Sequence, residues 1–236
     1  MAPPLPSTAP PPVTPFPNLA DVVYPTGDGE PLAETYDHVE AILMLLAMLG
    51  AYLADRFPDR SPLLLANQFV YYAEGFPRLR FAPDLAVIFG VEPGPRDNYK
   101  IWEEKAIPAV IFEMTSPKTR KADQETKKDL YEQLGVLEYW LFDPRAEWIP
   151  EYLKGYRLVE EQYQPIEDGQ SQVLDLALQP NQGRIACYRL DTGEQLLDYK
   201  TLTAQIQQER QRAKASQERA DRLAQRLQEL GIEDIE

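Results

Sequence analysis

One glutamate constrains this chain more than any other residue. Glu113 stands near the end of Ile107-Pro108-Ala109-Val110-Ile111-Phe112-Glu113-Met114, a strand-like stretch that is apolar on both faces. Strand alternation puts Glu113 on the face shared with Ile111 and Ala109. A carboxylate there must emerge into solvent or find a partner, because burying an unpaired charge is costly. A salt bridge would satisfy it, and so would a metal ion.

The surrounding pattern supplies a core for such a strand. From Glu34 to about Asp55, apolar residues at Val39, Ile42, Leu43, Leu46, Leu49 and Leu53 follow helical spacing. They occupy more than one face, which predicts a helix packed under a sheet. Leu63–Tyr72 and Asp84–Phe89 read as strands, followed by a polar loop through Pro93, Gly94 and Pro95 and then the strand Ala109–Met114. A helix is predicted from about Ala122 to Leu134, capped by Gly135. Glu138–Phe142 reads as a buried strand stopped by Asp143-Pro144. Strand-like pieces at Gly155–Val159 and Gly183–Lys200 complete the domain, the second turning at Asp191-Thr192-Gly193.

Three regions follow: a Pro-rich arm over 1–31, a folded domain over 32–200 and a C-terminal helix over 201–236. The arm carries ten of the 22 prolines and is expected to be largely disordered or draped over the domain. A Pro-rich ligand segment for a protein partner is a further reading. From Leu202 the composition turns to Gln, Arg, Glu and Ala. One heptad position holds Ile206, Ala213, Ala220 and Leu227, and the other holds Leu202, Glu209, Ser216, Leu223 and Leu230. A solvated helix and a short coiled coil that forms a homodimer both fit this pattern.

Composition narrows the classes. The single cysteine, Cys187, excludes an intramolecular disulfide and a Cys-rich zinc site, and fits a reducing, cytoplasmic setting. The longest apolar run, Ala41–Leu49, is shorter than the roughly 20 residues that span a bilayer, and no basic n-region opens the chain, so neither a membrane span nor a signal peptide is expected. The net charge of −14 gives no global attraction to phosphates. Between Glu113 and Lys128, however, five cations face three carboxylates, and this local surplus could rim a phosphate site.

Two further residues converge with Glu113. Asp84 follows Pro83 and opens an apolar strand, a position that also suits an ordinary turn. Lys127 shares a helix face with Asp123, Tyr131 and Leu134, and that face leans toward the sheet. An exposed Asp123–Lys127 pair is the plainer alternative. Together, two carboxylates at strand ends and a lysine from the next helix make a hard oxygen site beside a cation, suited to Mg²⁺ or Mn²⁺ rather than Zn²⁺. Such a site can hydrolyse a phosphodiester.

Pro83-Asp84, the run from Phe112-Glu113-Met114-Thr115 to Arg120, and then Asp123, Lys127, Tyr131, Gly135-Val136, Glu138-Tyr139-Trp140 and Asp143-Pro144 resemble the Uma-two family, restriction-endonuclease-like proteins of the PD-(D/E)XK superfamily. The resemblance covers roughly residues 34–200. It implies an α/β fold, with a restriction-endonuclease-like PD-(D/E)XK core whose mixed central sheet is flanked by helices. It implies a metal-dependent endonuclease acting on DNA, with Asp84 and Glu113 as metal carboxylates and the backbone carbonyl of Met114 as a further ligand. The superfamily lysine normally lies two residues after the glutamate, where this chain has Thr115. Lys127 occupies the place of a lysine migrated to the helix. His38, matched by a histidine in the family pattern, is a weaker site candidate, as are Glu34 one turn earlier and Tyr131. The competing reading is a noncatalytic protein-interaction module on a nuclease scaffold.

Overall fold

The computed structural model describes residues 19–29, 34–117 and 119–229. Most of the Pro-rich arm and the end of the C-terminal segment, Leu230 included, lie outside the described residues, as does Lys118.

Among the described residues the elements run α1 (Tyr36–Arg56), β1 (Leu63–Leu65), β2 (Val70–Tyr71), β3 (Arg80–Phe81), β4 (Leu85–Ile88), β5 (Tyr99–Lys100), α2 (Ile101–Glu104) and β6 (Val110–Met114). They continue with α3 (Lys128–Leu134), β7 (Glu138–Phe142), β8 (Leu153–Val159), β9 (Gln162–Ile166), β10 (Gln170–Ser171), β11 (Leu176–Asn181), β12 (Arg184–Arg189) and α4 (Tyr199–Glu229). A π-helical stretch, Ala122–Lys127, leads directly into α3.

The fold is α/β around a six-stranded mixed sheet ordered β1-β4-β6-β7-β8-β9. Only β6 and β7 run parallel within it; the other neighbours are antiparallel. The parallel pair needs a crossover, which the helix between them supplies. The sheet is buried on both sides. One face, with Leu85, Val87, Val110, Phe112 and Trp140, packs against α1 and against the three-stranded sheet β10-β11-β12. The other, with Ala86, Ile88, Ile111, Tyr139 and Leu141, packs against Tyr131 and Val136 and against Val70, Phe81 and Tyr99 of the small sheet β3-β2-β5.

The long apolar pattern over 34–55 is thereby explained. At 21 residues α1 is long and apolar enough to cross a membrane, yet Leu45, Leu49 and Leu53 are buried in the sheet-facing core. Its first turn is set by Thr35, whose hydroxyl accepts the His38 N–H and so holds that buried histidine against the sheet.

Some elements depart from the sequence expectation. The strand expected over Leu63–Tyr72 is two strands in two sheets. The chain breaks at Asn67, whose φ of 53° is left-handed, a conformation that Asn tolerates and a continuing strand forbids. The expected strand Gly183–Lys200 ends at Arg189. It turns as predicted around Gly193 (φ 72°), but only a single bridge, Tyr188 to Gln195, follows before α4 takes over Tyr199 and Lys200. Ala109 lies just before β6 and packs with the α1-side cluster instead of sharing a face with Ile111. Part of the arm is held on the domain: Tyr24 packs against Tyr71 and Trp102, and its carbonyl accepts a hydrogen bond from Asn98. The seam residues Leu202, Ile206, Leu223 and Leu227 on α4 are exposed.

Two details show how tightly the sheet is tied down. Glu138, fully buried at the start of β7, accepts from the Ser171 hydroxyl, the backbone N–H groups of Gln172 and Val173 and the Trp140 indole, and pairs with Arg157 at 3.3 Å. It is a structural clamp between two sheets. Gly155 lies opposite Trp140 in the β7–β8 ladder, and a Cβ there would stand 2.5–2.8 Å from three ring atoms. Gly155→Ala is therefore expected to destabilise the domain by about 1–3 kcal/mol, the usual cost of overpacking, as read by urea denaturation. An unchanged midpoint would show that the ring can move aside.

Candidate active site

The site forms where β4 begins and β6 ends. These strands pair with Leu85 opposite Phe112, so the antiparallel register carried one residue further brings Asp84 opposite Glu113. Asp84 itself lies just before β4, which begins one residue later than the expected strand start. Its Oδ2 accepts the Met114 N–H at 2.6 Å, and its Oδ1 lies 3.3 Å from Nε2 of His38. The other ring nitrogen of His38 is 3.5 Å from Glu34. A chain of contacts thus runs Glu34–His38–Asp84–Met114, linking the start of α1 to the end of β6.

Glu113 is 1 % exposed. Alternation turns it away from α1, toward the side where the helix after β6 packs. Its Oε1 accepts the Tyr131 hydroxyl at 2.6 Å, and its Oε2 pairs with Lys127 Nζ at 2.9 Å. The same Nζ lies 2.9 Å from Asp123 Oδ1. The plainer expectation of a solvated Asp123–Lys127 pair is overturned: Asp123 is 1 % exposed and the pair points into the sheet. The spacing of four was visible in the sequence, but it is the same for a solvated pair and a buried one. The backbone here is wound as π-helix, a rare form that concentrates at functional sites.

The electrostatics follow from this burial. Removal from water pushes the Glu113 carboxyl up to about 8; Lys127 opposes the shift, Asp84 and Asp123 add to it, and the Tyr131 hydroxyl opposes it. Burial alone would lower the Lys127 ammonium, but Glu113 and Asp123 outweigh it and the group is raised. Burial raises the Tyr131 phenol, and Glu113 raises it further, so it remains a proton donor to the carboxylate. For His38, burial is outweighed by the hydrogen bond to Asp84 and by the Asp84, Glu34 and Glu113 charges, and its pKa is raised.

Two polar groups near this centre are poorly satisfied. Among the described residues the Asp123 oxygens find no hydrogen bond of good geometry despite the ion pair, and the buried Thr115 Oγ1 finds no partner. Asp123 was outside the expected catalytic set; its burial against Lys127 makes it a third carboxylate of the cluster. Thr115, two residues after Glu113, carries no charge, and the amine beside Glu113 comes from Lys127.

A divalent cation fits this donor set by chemistry. Asp84 and Glu113 are oxygen donors on adjacent strand ends, and Glu113 is a buried acid whose pKa is raised chiefly by burial, a cost that a bound cation would offset. Among the described residues no three His, Cys, Asp or Glu side chains already converge as a ready ligand cluster. The two Glu113 oxygens and both Asp84 oxygens are engaged within the chain. Met114 presents its N–H to Asp84.

The family model described as Uma2, putative restriction endonuclease, matches residues 20–217. A solved structure described as a putative nuclease belonging to DUF820, from Anabaena variabilis ATCC 29413, is similar at 14% identity and a TM-score of 0.43, over 66% of this chain and 79% of that one. No curated protein gives a significant match.

Proposed function

From the premise that this chain belongs to the Uma2 family of putative restriction endonucleases, we propose that it is a metal-dependent endonuclease that hydrolyses phosphodiester bonds in DNA. The observation that carries the reading is the meeting of Glu113 and Lys127 at 2.9 Å beside the end of the strand that Asp84 faces. Family membership supports the nuclease role; the DNA substrate and the metal requirement are inferences from the chemistry of the site.

Asp84 and Glu113, with the Met114 carbonyl, would hold Mg²⁺ or Mn²⁺. The bound ion would counter the charge that grows on the phosphoryl oxygens and make a water acidic enough to attack. The chain's own groups do the rest. Tyr131 and Lys127 fix the Glu113 carboxylate by its two oxygens, and His38 with the Met114 N–H fixes Asp84, so both carboxylates are oriented before substrate arrives. Lys127, cationic throughout the physiological range, can neutralise a phosphate oxygen or orient the attacking water. The cluster is largely shut off from solvent, which strengthens each of these interactions.

Purified protein is expected to nick supercoiled plasmid with Mg²⁺ or Mn²⁺ and to lose that activity on chelation. Absence of nicking, together with no divalent-ion affinity by calorimetry at millimolar metal, would replace this reading with a noncatalytic interaction module.

A further inference from the structure

Beyond the candidate site, the loop after β7 carries an aromatic residue that the core does not absorb. Trp148 is half-buried, whereas Trp140 is sealed inside. Asp143 holds this loop rigidly: its Oδ2 accepts the N–H groups of Trp148 at 2.6 Å and Ile149 at 3.0 Å, and its Oδ1 accepts that of Arg145. The backbone that carries the indole is therefore held in place.

Trp148 walls two grooves. The first is shared with His38 and with Thr115, whose buried hydroxyl finds no partner among the described residues, and so reaches the edge of the candidate catalytic cluster. The second is a shallow groove that runs from Trp148 past Lys154 to Tyr156. Cations sit on the rings along this path. The Arg120 guanidinium lies 3.9 Å from the Trp148 ring centroid, and the amines of Lys128 and Lys154 lie 5.0 and 5.4 Å from that of Tyr156. Arg120 and Lys128 belong to the cationic surplus that flanks Glu113 in the sequence.

Aromatic faces interleaved with cations, on a groove that opens toward a phosphodiester-cleaving cluster, suit bases that are not paired. Every base has a face to stack, and its phosphate can meet a neighbouring cation. A paired duplex keeps its base faces covered by their own stack. We propose that Trp148 and Tyr156 form a stacking track for a single-stranded DNA segment leading into the active site, with Arg120, Lys128 and Lys154 at its phosphates. This rests on the nuclease reading for the identity of the ligand. Glu125 and Glu151 also line the second groove. They cancel much of the cationic charge, so stacking carries the affinity and the salt dependence is shallow.

The test is fluorescence anisotropy of a fluorescein-labelled oligothymidylate with the full chain in chelator, where no cleavage occurs. Wild type is expected to bind it, and Trp148→Ala to weaken binding roughly tenfold, the effect of losing one stacked base. Tyr156→Leu should act in the same direction, and Trp148→Phe should retain most of the affinity. In a second readout, oligothymidylate should quench the tryptophan emission of wild type, and Trp148→Phe should abolish the quenching while still binding. This control holds even if the alanine variant does not fold. Equal affinity in wild type and Trp148→Ala, unquenched emission, or no binding of the single strand would each overturn the track. Plasmid nicking that persists in any of those cases leaves the nuclease reading standing, and oligothymidylate binding without any metal-dependent cleavage removes that reading alone.

Discussion

Glu113→Gln is expected to reduce metal-dependent DNA cleavage by on the order of a thousandfold while leaving the fold intact. Glutamine keeps the shape and still offers an oxygen to the Tyr131 hydroxyl, now 2.6 Å from Oε1, but it removes the charge that would hold a cation and pair with Lys127. The same variant tests the electrostatics without any substrate. The Glu113 carboxyl stands at about 8 against an ordinary 4.5, chiefly through burial. Between those values the folded chain holds a proton that the unfolded chain has released. The contribution of this group to stability is therefore complete below about 4.5 and is lost as pH rises to about 8. Thermal melting of wild type should accordingly fall across that window, and Glu113→Gln should show a shallower fall. His38, with its raised pKa, adds a decline of the same sign as pH rises through its folded value, but it is present in both proteins. The difference between the two curves reports Glu113 together with the part of the His38 shift that its charge supplies. Saturating Mg²⁺ should flatten the wild-type curve by favouring the carboxylate. Parallel curves for wild type and variant would contradict the buried, proton-holding state, and undiminished cleavage would remove Glu113 from the catalytic set.

Lys127→Ala is expected to cost about 3–5 kcal/mol of stability as well as cleavage, because it removes the cation that two buried carboxyl groups share. Glu113 and Asp123 are each 1 % exposed, and Lys127 is the cation within 2.9 Å of both. A surface lysine at the same helical spacing would cost a few tenths of a kcal/mol. The two cases are therefore separable by urea denaturation alone. Adding Glu113→Gln and Asp123→Asn to Lys127→Ala should recover much of the lost stability, since no buried charge then remains unpaired. A loss below about 1 kcal/mol for Lys127→Ala would mean that water reaches the cluster and compensates.

These effects depend on features that were unequally legible in the sequence. Glu113 is conspicuous because a charge interrupts a strand with two apolar faces, and short-range alternation is enough to see it. Tyr131 and Lys127 share a helix face by spacing, and α1 announces its burial by apolar residues around more than one face. The burial of Asp123 could not be read, because the same i, i+4 pair occurs on solvated helices. Glu138 could not be assigned as a clamp, since its partners Ser171, Gln172 and Val173 lie more than thirty residues away. The break inside 63–72 was hidden by an uninterrupted apolar and aromatic character, although Asn67 supplied the left-handed turn.

Periodicity and charge placement, which are local properties, determined which strands and helices must be buried and which carboxylate must find a partner. Which partner it found is a long-range matter. The antiparallel register of β4 against β6 carries Asp84 opposite Glu113, the crossover between parallel strands swings Lys127 over the end of β6, and Thr35 holds His38 against Asp84. The grooves that join Trp148 to Thr115 and to Tyr156 belong to that same class. Their walls come from segments that meet only after the sheet has closed, because desolvation rewards the packing of distant apolar faces and leaves no trace of the pairing in local spacing.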